Sequence, residues 1–339
     1  MARTSRPRWA TLTDDALLDL RLCDLGLTIE KADLADFVDQ LHDELAQRHL
    51  RFRPHTWLSN DWFTPVGVPG IAIPFYLAHP RLKRLEKKML YEVEGGTRRD
   101  CMRILRHEAG HAIQHAYRLN RKRAWRRVFG SSAAPYPDTY QPKPYSRHFV
   151  QHLDNYYAQA HPDEDFAETF AVWLTPGYPW RRRYQGWGAH KKLEFVDSLM
   201  KEIAGASAPV RSRRRVDPLS TLRYTLREHY AERTERYAID APDIYSRDLR
   251  RLFSEEGKKR ASTFLRAERT NMLRITSRWT GAYQYTIGQV YDEMIDRCDT
   301  LALHVGPEQD ESALRHDLLA LLSVQVMNML HEGGHRLTL

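Results

Sequence analysis

The chain reads as an α+β protein, predominantly helical. It should have a small sheet and two ligand-bearing helices in its first two thirds, followed by an all-α C-terminal region. Three observations predict this. Apolar residues recur at helical spacing through most long segments, Ile71 to Leu77 is the most strand-like piece of Trp57 to Leu77, and the helical period continues beyond Leu219. At 339 residues the chain exceeds a typical single domain. The boundaries expected are 1–205 for the first domain, 206–218 for a basic linker and 219–339 for a helical domain.

The elements follow in order. Thr13 to Gln47 reads as a first helical region, with Leu34, Phe37, Val38, Leu41 and Leu45 on one stripe. Trp57 to Leu77 mixes aromatics, prolines and glycines, and Pro74 within its strand-like piece suits an edge rather than a central strand. Arg99 to Leu119 has apolar residues at Met102, Leu105, Ala109, Ala112, Ile113 and Ala116, with Asn120 as its terminator. From Asn120 to His161, Pro135, Pro137, Pro142 and Pro144 interleave with Tyr136, Tyr140 and Tyr145, which suggests an ordered loop. Pro162 opens a helix whose first turn holds Asp163, Glu164 and Asp165. Its stripe of Phe166, Ala167, Phe170, Trp173 and Leu174 stops at Pro176-Gly177. A further helix spans His190 to Ile203, and Gly205 to Pro218 is the best boundary. Beyond it, Ile287, Val290, Met294 and Cys298 form one stripe and Leu318, Leu322, Val326 and Leu330 another, as in a small bundle.

Two segments carry chemistry. His107-Glu108-Ala109-Gly110-His111 lies inside the helical pattern of Arg99 to Leu119, so both imidazoles share one face a turn apart and can reach one ion. Glu108, next to the first histidine, stands where it can take a proton from a water beside that ion. About fifty residues on, Glu164 and Glu168 lie one turn apart. One can ligate the metal while the other accepts the remaining N–H of a ligand histidine. Glu164 is the ligand expected, Glu168 its companion, and Asp165 an alternative that faces away from Glu168. The competing reading is an acidic first turn favoured by the helix dipole. Two histidines and a carboxylate favour zinc, one ion.

These segments resemble the glutamate-zincins, which carry HExxH and, downstream, a glutamate ligand followed four residues later by an acidic residue. The run Glu164-Asp165-Phe166-Ala167-Glu168 is similar to that of the lethal-factor-like peptidases. The stretch from about Leu22 to Met200 resembles the bacterial "putative zinc-binding metallopeptidase" family. The resemblance rests on Arg53 to Leu58, Pro69 to Leu77, Leu105 to His111 and Pro162 to Ala171. It implies a zincin-like fold for residues 1–205 and a zinc site, and it supplies no substrate. It also implies a strand edge beside the cleft on which a substrate peptide could pair, a role for which Ile71 to Leu77 competes with ordinary packing. In lethal-factor-like peptidases a tyrosine seven residues before the ligand stabilises the oxyanion, and Tyr157 holds that place here. Packing beside Tyr156 is the competing reading, and Tyr145 and His152 are alternatives.

Other features carry less. His331-Glu332-Gly333-Gly334-His335 repeats the pattern, but its paired glycines weaken a helix and it reads as a glycine-capped helix end. His115 shares the face of His107 and His111 but lies about 12 Å from His107 along the axis, too far for one tetrahedral ion. Cys101 reads as packing. Three scattered cysteines (Cys23, Cys101, Cys298) argue against a disulfide framework, and no run is long enough to span a bilayer. Met1 to Arg8 is basic without a following apolar region, so a cytoplasmic location is expected. The net charge of +8 gathers at Arg181 to Arg183, Arg211 to Arg215 and Lys258 to Arg260, with no nucleic-acid motif beside it.

The expectation is a zinc metallopeptidase with a peptide or protein substrate. The alternative is a latent or non-catalytic zinc protein whose basic helical C-terminal region binds a partner or nucleic acid.

Overall fold

The computed structural model describes residues 7–338, apart from 91, 138, 141, 142, 144, 145, 237–244 and 332–336. It is predominantly helical with little sheet, an α+β chain. Its contacts divide it into two compact units: Met1–Met89 with Val93–Tyr230, and Leu90–Glu92 with Ala231–Thr338.

The first unit begins differently from the single helical region expected over Thr13 to Gln47. Thr13 caps a short helix α1 (Asp14–Leu18), accepting from the Ala16 amide at 3.3 Å. Gly26 then turns the chain at φ 60°, and α2 (Leu34–Gln47) starts afresh. Only α2 keeps the stripe, burying Leu34, Val38, Leu41 and Leu45.

The strands β1 (His55–Ser59) and β2 (Gly70–Pro74) pair in parallel, from His55 opposite Gly70 to Ser59 opposite Pro74. All five β2 residues are buried. Its other side is occupied too, since the Ala72 amide donates to the Phe63 carbonyl at 2.9 Å. The edge expected at Ile71 to Leu77 is therefore closed at Ala72. An unbroken apolar run marks a strand covered on both faces, and Pro74 stands at its last position.

After α3 (Pro80–Leu90) comes α4 (Arg98–Tyr117), the longest helix of this unit. Thr97 caps it by accepting from the Asp100 amide at 3.2 Å. Arg118, left-handed at φ 53°, ends it two residues before the expected Asn120. The next segment is not all loop, because α5 (Arg123–Phe129) occupies part of it and buries Trp125 and Phe129. Helix α6 (Pro162–Leu174) starts with its proline as foreseen, and residues 163–174 are all buried. A helix covered on every side must pair its charges internally. Two further helices follow, the short α7 (Trp180–Arg183) and the longer α8 (Gly188–Ile203).

The crossing of α4 and α6 organises the unit. A Cβ on Gly110 would lie 2.7 Å from the Ala167 Cα, so only glycine permits this approach. On the other flank of α4, Arg106 makes two 2.7 Å bonds to the buried Glu44 carboxylate of α2.

The segment 206–218 runs along this unit. The Tyr117 hydroxyl donates to Ala206 O at 2.8 Å, the Val210 amide to Ala116 O at 3.1 Å and the Trp57 indole to Val216 O at 2.9 Å. The chain stays with the first unit beyond 218, since the Leu22 amide donates to Tyr224 O at 3.0 Å. The division at Tyr230 falls inside α9 (Leu226–Arg236).

The second unit is built on α10 (Ser246–Leu252), α11 (Ala261–Thr280), α12 (Gln284–Thr300) and α13 (Glu311–His331). Both foreseen stripes enter one core, where Ile287, Val290, Met294 and Cys298 meet Leu318, Leu322 and Val326, with Leu330 packed against it. It is not purely α: Lys259–Arg260 pairs antiparallel with His304–Val305. Residues 332–335 of the second HExxH lie outside the described residues.

Candidate metal centre

Helix α4 supplies His107, Glu108 and His111, and α6 supplies Glu164 and Glu168. The Gly110–Ala167 contact brings the two helices close enough for these side chains to meet. His107 Nε2 lies 3.0 Å and His111 Nε2 3.1 Å from Glu164 Oε2, and the two nitrogens lie 3.1 Å from each other. All three residues are largely buried, and His111 is the most open to solvent. Among the described residues they form the one group of histidine, cysteine or carboxylate side chains arranged to hold a metal ion.

The donor set fits zinc. Three lone-pair atoms at mutual contact repel one another unless protons or a metal cation lie between them. Metal–ligand bonds of about 2.0–2.1 Å in a tetrahedron place donors roughly 3.3 Å apart. The observed triangle is close to that.

The surrounding bonds fix how each donor is presented. His107 Nδ1 lies 2.8 Å from Glu168 Oε1, and the other oxygen of Glu168 accepts the Leu153 amide at 2.8 Å. An N–H at Nδ1 leaves the Nε2 lone pair for the ion. Burial opposes the charge on Glu164, but His111 and His107 beside it hold its carboxyl well below the usual range. Burial likewise disfavours a charged His107, yet bonds to Glu164 and Glu168 raise its pKa well above 6.5.

Glu108 is set apart from this triangle. Burial pushes its carboxyl up, against the pull of His111 and His107. The Thr64 hydroxyl lies 2.8 Å from Glu108 Oε2 and 3.2 Å from the Glu108 carbonyl.

Other sequence candidates are placed as follows. The Tyr157 ring lies 5.6 Å from the His107 ring, tilted at 49°. Asp165, the alternative ligand, instead meets Lys192 at 2.5 Å, and burial raises its pKa to about 7 against that lysine. His152 Nε2 lies 3.0 Å from Arg103 O. Tyr145 is outside the described residues. His115 is not in the ligand group, and Cys101 is buried with its thiol pushed up to about 12 by burial.

Three residues were not singled out by the sequence. The Tyr136 hydroxyl donates to Glu164 Oε1 at 2.9 Å, holding the oxygen that the triangle does not use. Its ring stacks on His161 with centroids 3.8 Å apart. His161 caps α6, accepting from the Asp163 amide at 3.1 Å, while its Nε2 bonds Ala134 O at 3.0 Å. Thr64 is the third. Interleaved tyrosines and prolines marked the loop as ordered, but nothing distinguished Tyr136 from its neighbours.

No curated protein and no solved structure matches the chain. Residues 85–176 match the family model described as "Putative zinc-binding metallo-peptidase". That span contains His107, Glu108, His111, Glu164 and Glu168, so the part of the chain that is similar to zinc-binding metallopeptidases is the part that builds this site.

Proposed function

We propose that the chain is a zinc-dependent peptidase of the glutamate-zincin type, with His107, His111 and Glu164 as ligands and Glu108 as general base. The observation that carries this reading is the convergence of three donor atoms within 3.0–3.1 Å beside a buried, hydroxyl-held carboxylate. When bound, zinc supplies Lewis acidity, polarising a carbonyl and lowering the pKa of a coordinated water to about 7.

The chain's own residues do the remainder. Glu108, whose pKa burial has raised, is suited to take a proton from the attacking water and return it to the leaving amine. Thr64 keeps its carboxylate from rotating away. Glu168 orients His107, and Tyr136 holds Glu164 by its outer oxygen. Tyr157, packed beside His107, is assigned to the negative charge that develops on the carbonyl oxygen. A scaffold that only stored metal would have no need of Glu108 or of the threonine that positions it.

The test is cleavage of a diverse quenched-fluorescence peptide library by wild type and Glu108→Gln. Wild type should cleave, lose activity to a chelator and regain it with zinc. Glu108→Gln should fold and bind metal but fall about 10²–10⁴-fold in rate. Cleavage insensitive to chelation, or undiminished in Glu108→Gln, would refute the proposal.

A further inference from the structure

Three stretches of the first unit, distant in sequence, are rich in arginine and contain no aspartate or glutamate. They are 48–55 (Arg48, Arg51, Arg53), 118–127 (Arg118, Arg121, Lys122, Arg123, Arg126, Arg127) and 205–216 (Arg211, Arg213, Arg214, Arg215). The fold gathers them at the C-terminal end of α4. The Gly205 amide donates to His49 O at 2.9 Å, and His55 Nε2 lies 3.0 Å from Arg214 O, so 49–55 and 205–214 run side by side. The last turn of α4 touches both. Phe52 packs edge-on to Tyr117, Tyr117 bonds Ala206, and the Val210 amide donates to Ala116 O. The third stretch leaves directly from that turn through Arg118.

Burial alternates so that the cations face outward. Leu50, Phe52, Leu119 and Trp125 are buried, while Arg51, Arg53, Arg118, Arg121, Arg123, Arg126, Arg127 and all four arginines of 211–215 are exposed. Lys122 pairs with Glu202, and Arg48 lies over Trp173 and bonds its carbonyl. The remaining eleven make no ion pair among the described residues. By contrast, the arginines at 260, 266, 269 and 315 in the second unit are paired with carboxylates. A cavity of about 560 Å³ opens on this face, lined by His42, His49, Arg51 and Arg53 and by no carboxylate.

We infer that this face of the first unit binds the phosphate backbone of a nucleic acid. Its composition selects that partner over other anions. Nearly every cation is arginine, whose planar fork matches a phosphate in two bonds where lysine offers a point charge. None of the large apolar side chains exposed elsewhere lies in these three stretches. A membrane surface is usually entered by apolar side chains beside the cations, and a protein interface has an apolar centre. A face of arginines without either suits a polyanion held by charge alone, independent of base sequence. The sequence reading placed its nucleic-acid alternative on the basic helical C-terminal region, whereas this inference concerns the first unit. The inference does not depend on peptidase activity.

The test is fluorescence anisotropy of the full-length protein with a labelled 30-base-pair DNA duplex and a 30-nucleotide single strand, titrated at 50 and 200 mM salt. Anionic phosphatidylserine vesicles and a polyglutamate peptide serve as competing probes. We expect binding to at least one nucleic acid that weakens about 10³-fold or more across that salt range. Replacing Arg211, Arg213, Arg214 and Arg215 by serine should weaken it at least ten-fold and lower the salt slope by about 0.9 for each phosphate no longer neutralised. These side chains are exposed, so circular dichroism and metal content should not change. Arg51→Ser with Arg53→Ser, made separately on the other stretch, should weaken binding as well. No binding at 50 mM salt, wild-type affinity in both variant sets, or binding to vesicles or polyglutamate but to neither nucleic acid would overturn the inference.

Discussion

Each donor in the triangle is useful only if its lone pair points inward, and at this site single hydrogen bonds decide that. Glu168 fixes the His107 tautomer and Tyr136 leaves Glu164 one free oxygen. Removing such partners typically costs 10–100-fold in metal affinity. Tyr136→Phe and Glu168→Gln should each lower zinc affinity by that factor in a chelator-competition titration. Unchanged affinity in both would mean that the ligands hold themselves. His115 gives a second residue-scale prediction. Burial lowers its pKa from 6.5 to about 4, with His111 adding to the shift and Asp163 opposing it. A base whose folded pKa lies below its unfolded value takes up its proton more readily when unfolded. Its contribution to stability is therefore complete above pH 6.5 and is lost as the pH falls toward about 4. Denaturant unfolding of metal-free protein should show a flatter fall over that window in His115→Gln than in wild type. Parallel curves would contradict this assignment.

Between elements, the site depends on how closely α4 and α6 approach. Gly110→Ala places a methyl 2.7 Å from the Ala167 backbone, and backbone has less room to yield than a flexible side chain. The expected cost is about 1–3 kcal/mol in denaturant unfolding, with weakened metal binding because the ligands part. A variant equal to wild type in both would show that the crossing is not tight. The buried Arg106–Glu44 pair holds α4 on α2 from the other flank. Arg106→Met alone should destabilise by roughly 3–5 kcal/mol, and adding Glu44→Leu should recover most of it. Much of α4 and α6 was legible beforehand. Apolar spacing, Pro162, the acidic first turn and the histidine pair each obey local rules that act within about four residues. The partners Tyr136 and Thr64 were not legible, because they reach the site from loops 28 and 44 residues away from Glu164 and Glu108. Local spacing carries no record of such contacts.

At the scale of the molecule, periodicity conveyed helical content better than helix limits. The helical region expected over Thr13 to Gln47 is interrupted: α1 ends at Leu18, and Gly26 turns the chain left-handed before α2 begins. The strand at Gly70 to Pro74 is real, but its closure by Phe63, nine residues before Ala72, is a pairing that Pro74 does not reveal. The basic stretch 206–218 reads as a linker by composition, whereas hydrogen bonds to its Ala206 and Val216 carbonyls and from its Val210 amide lay it along the first unit. Within the stretch these bonds use backbone atoms alone, so its composition does not announce them. One zinc ion held between α4 and α6 is what the proposed peptidase requires. The measurement that tests it most directly is zinc content by elemental analysis of wild type, Glu108→Gln and Glu164→Ala. One zinc per chain is expected in wild type and in Glu108→Gln, and most of it should be missing from Glu164→Ala. Full occupancy in Glu164→Ala, or no zinc in wild type after purification with zinc present, would contradict it.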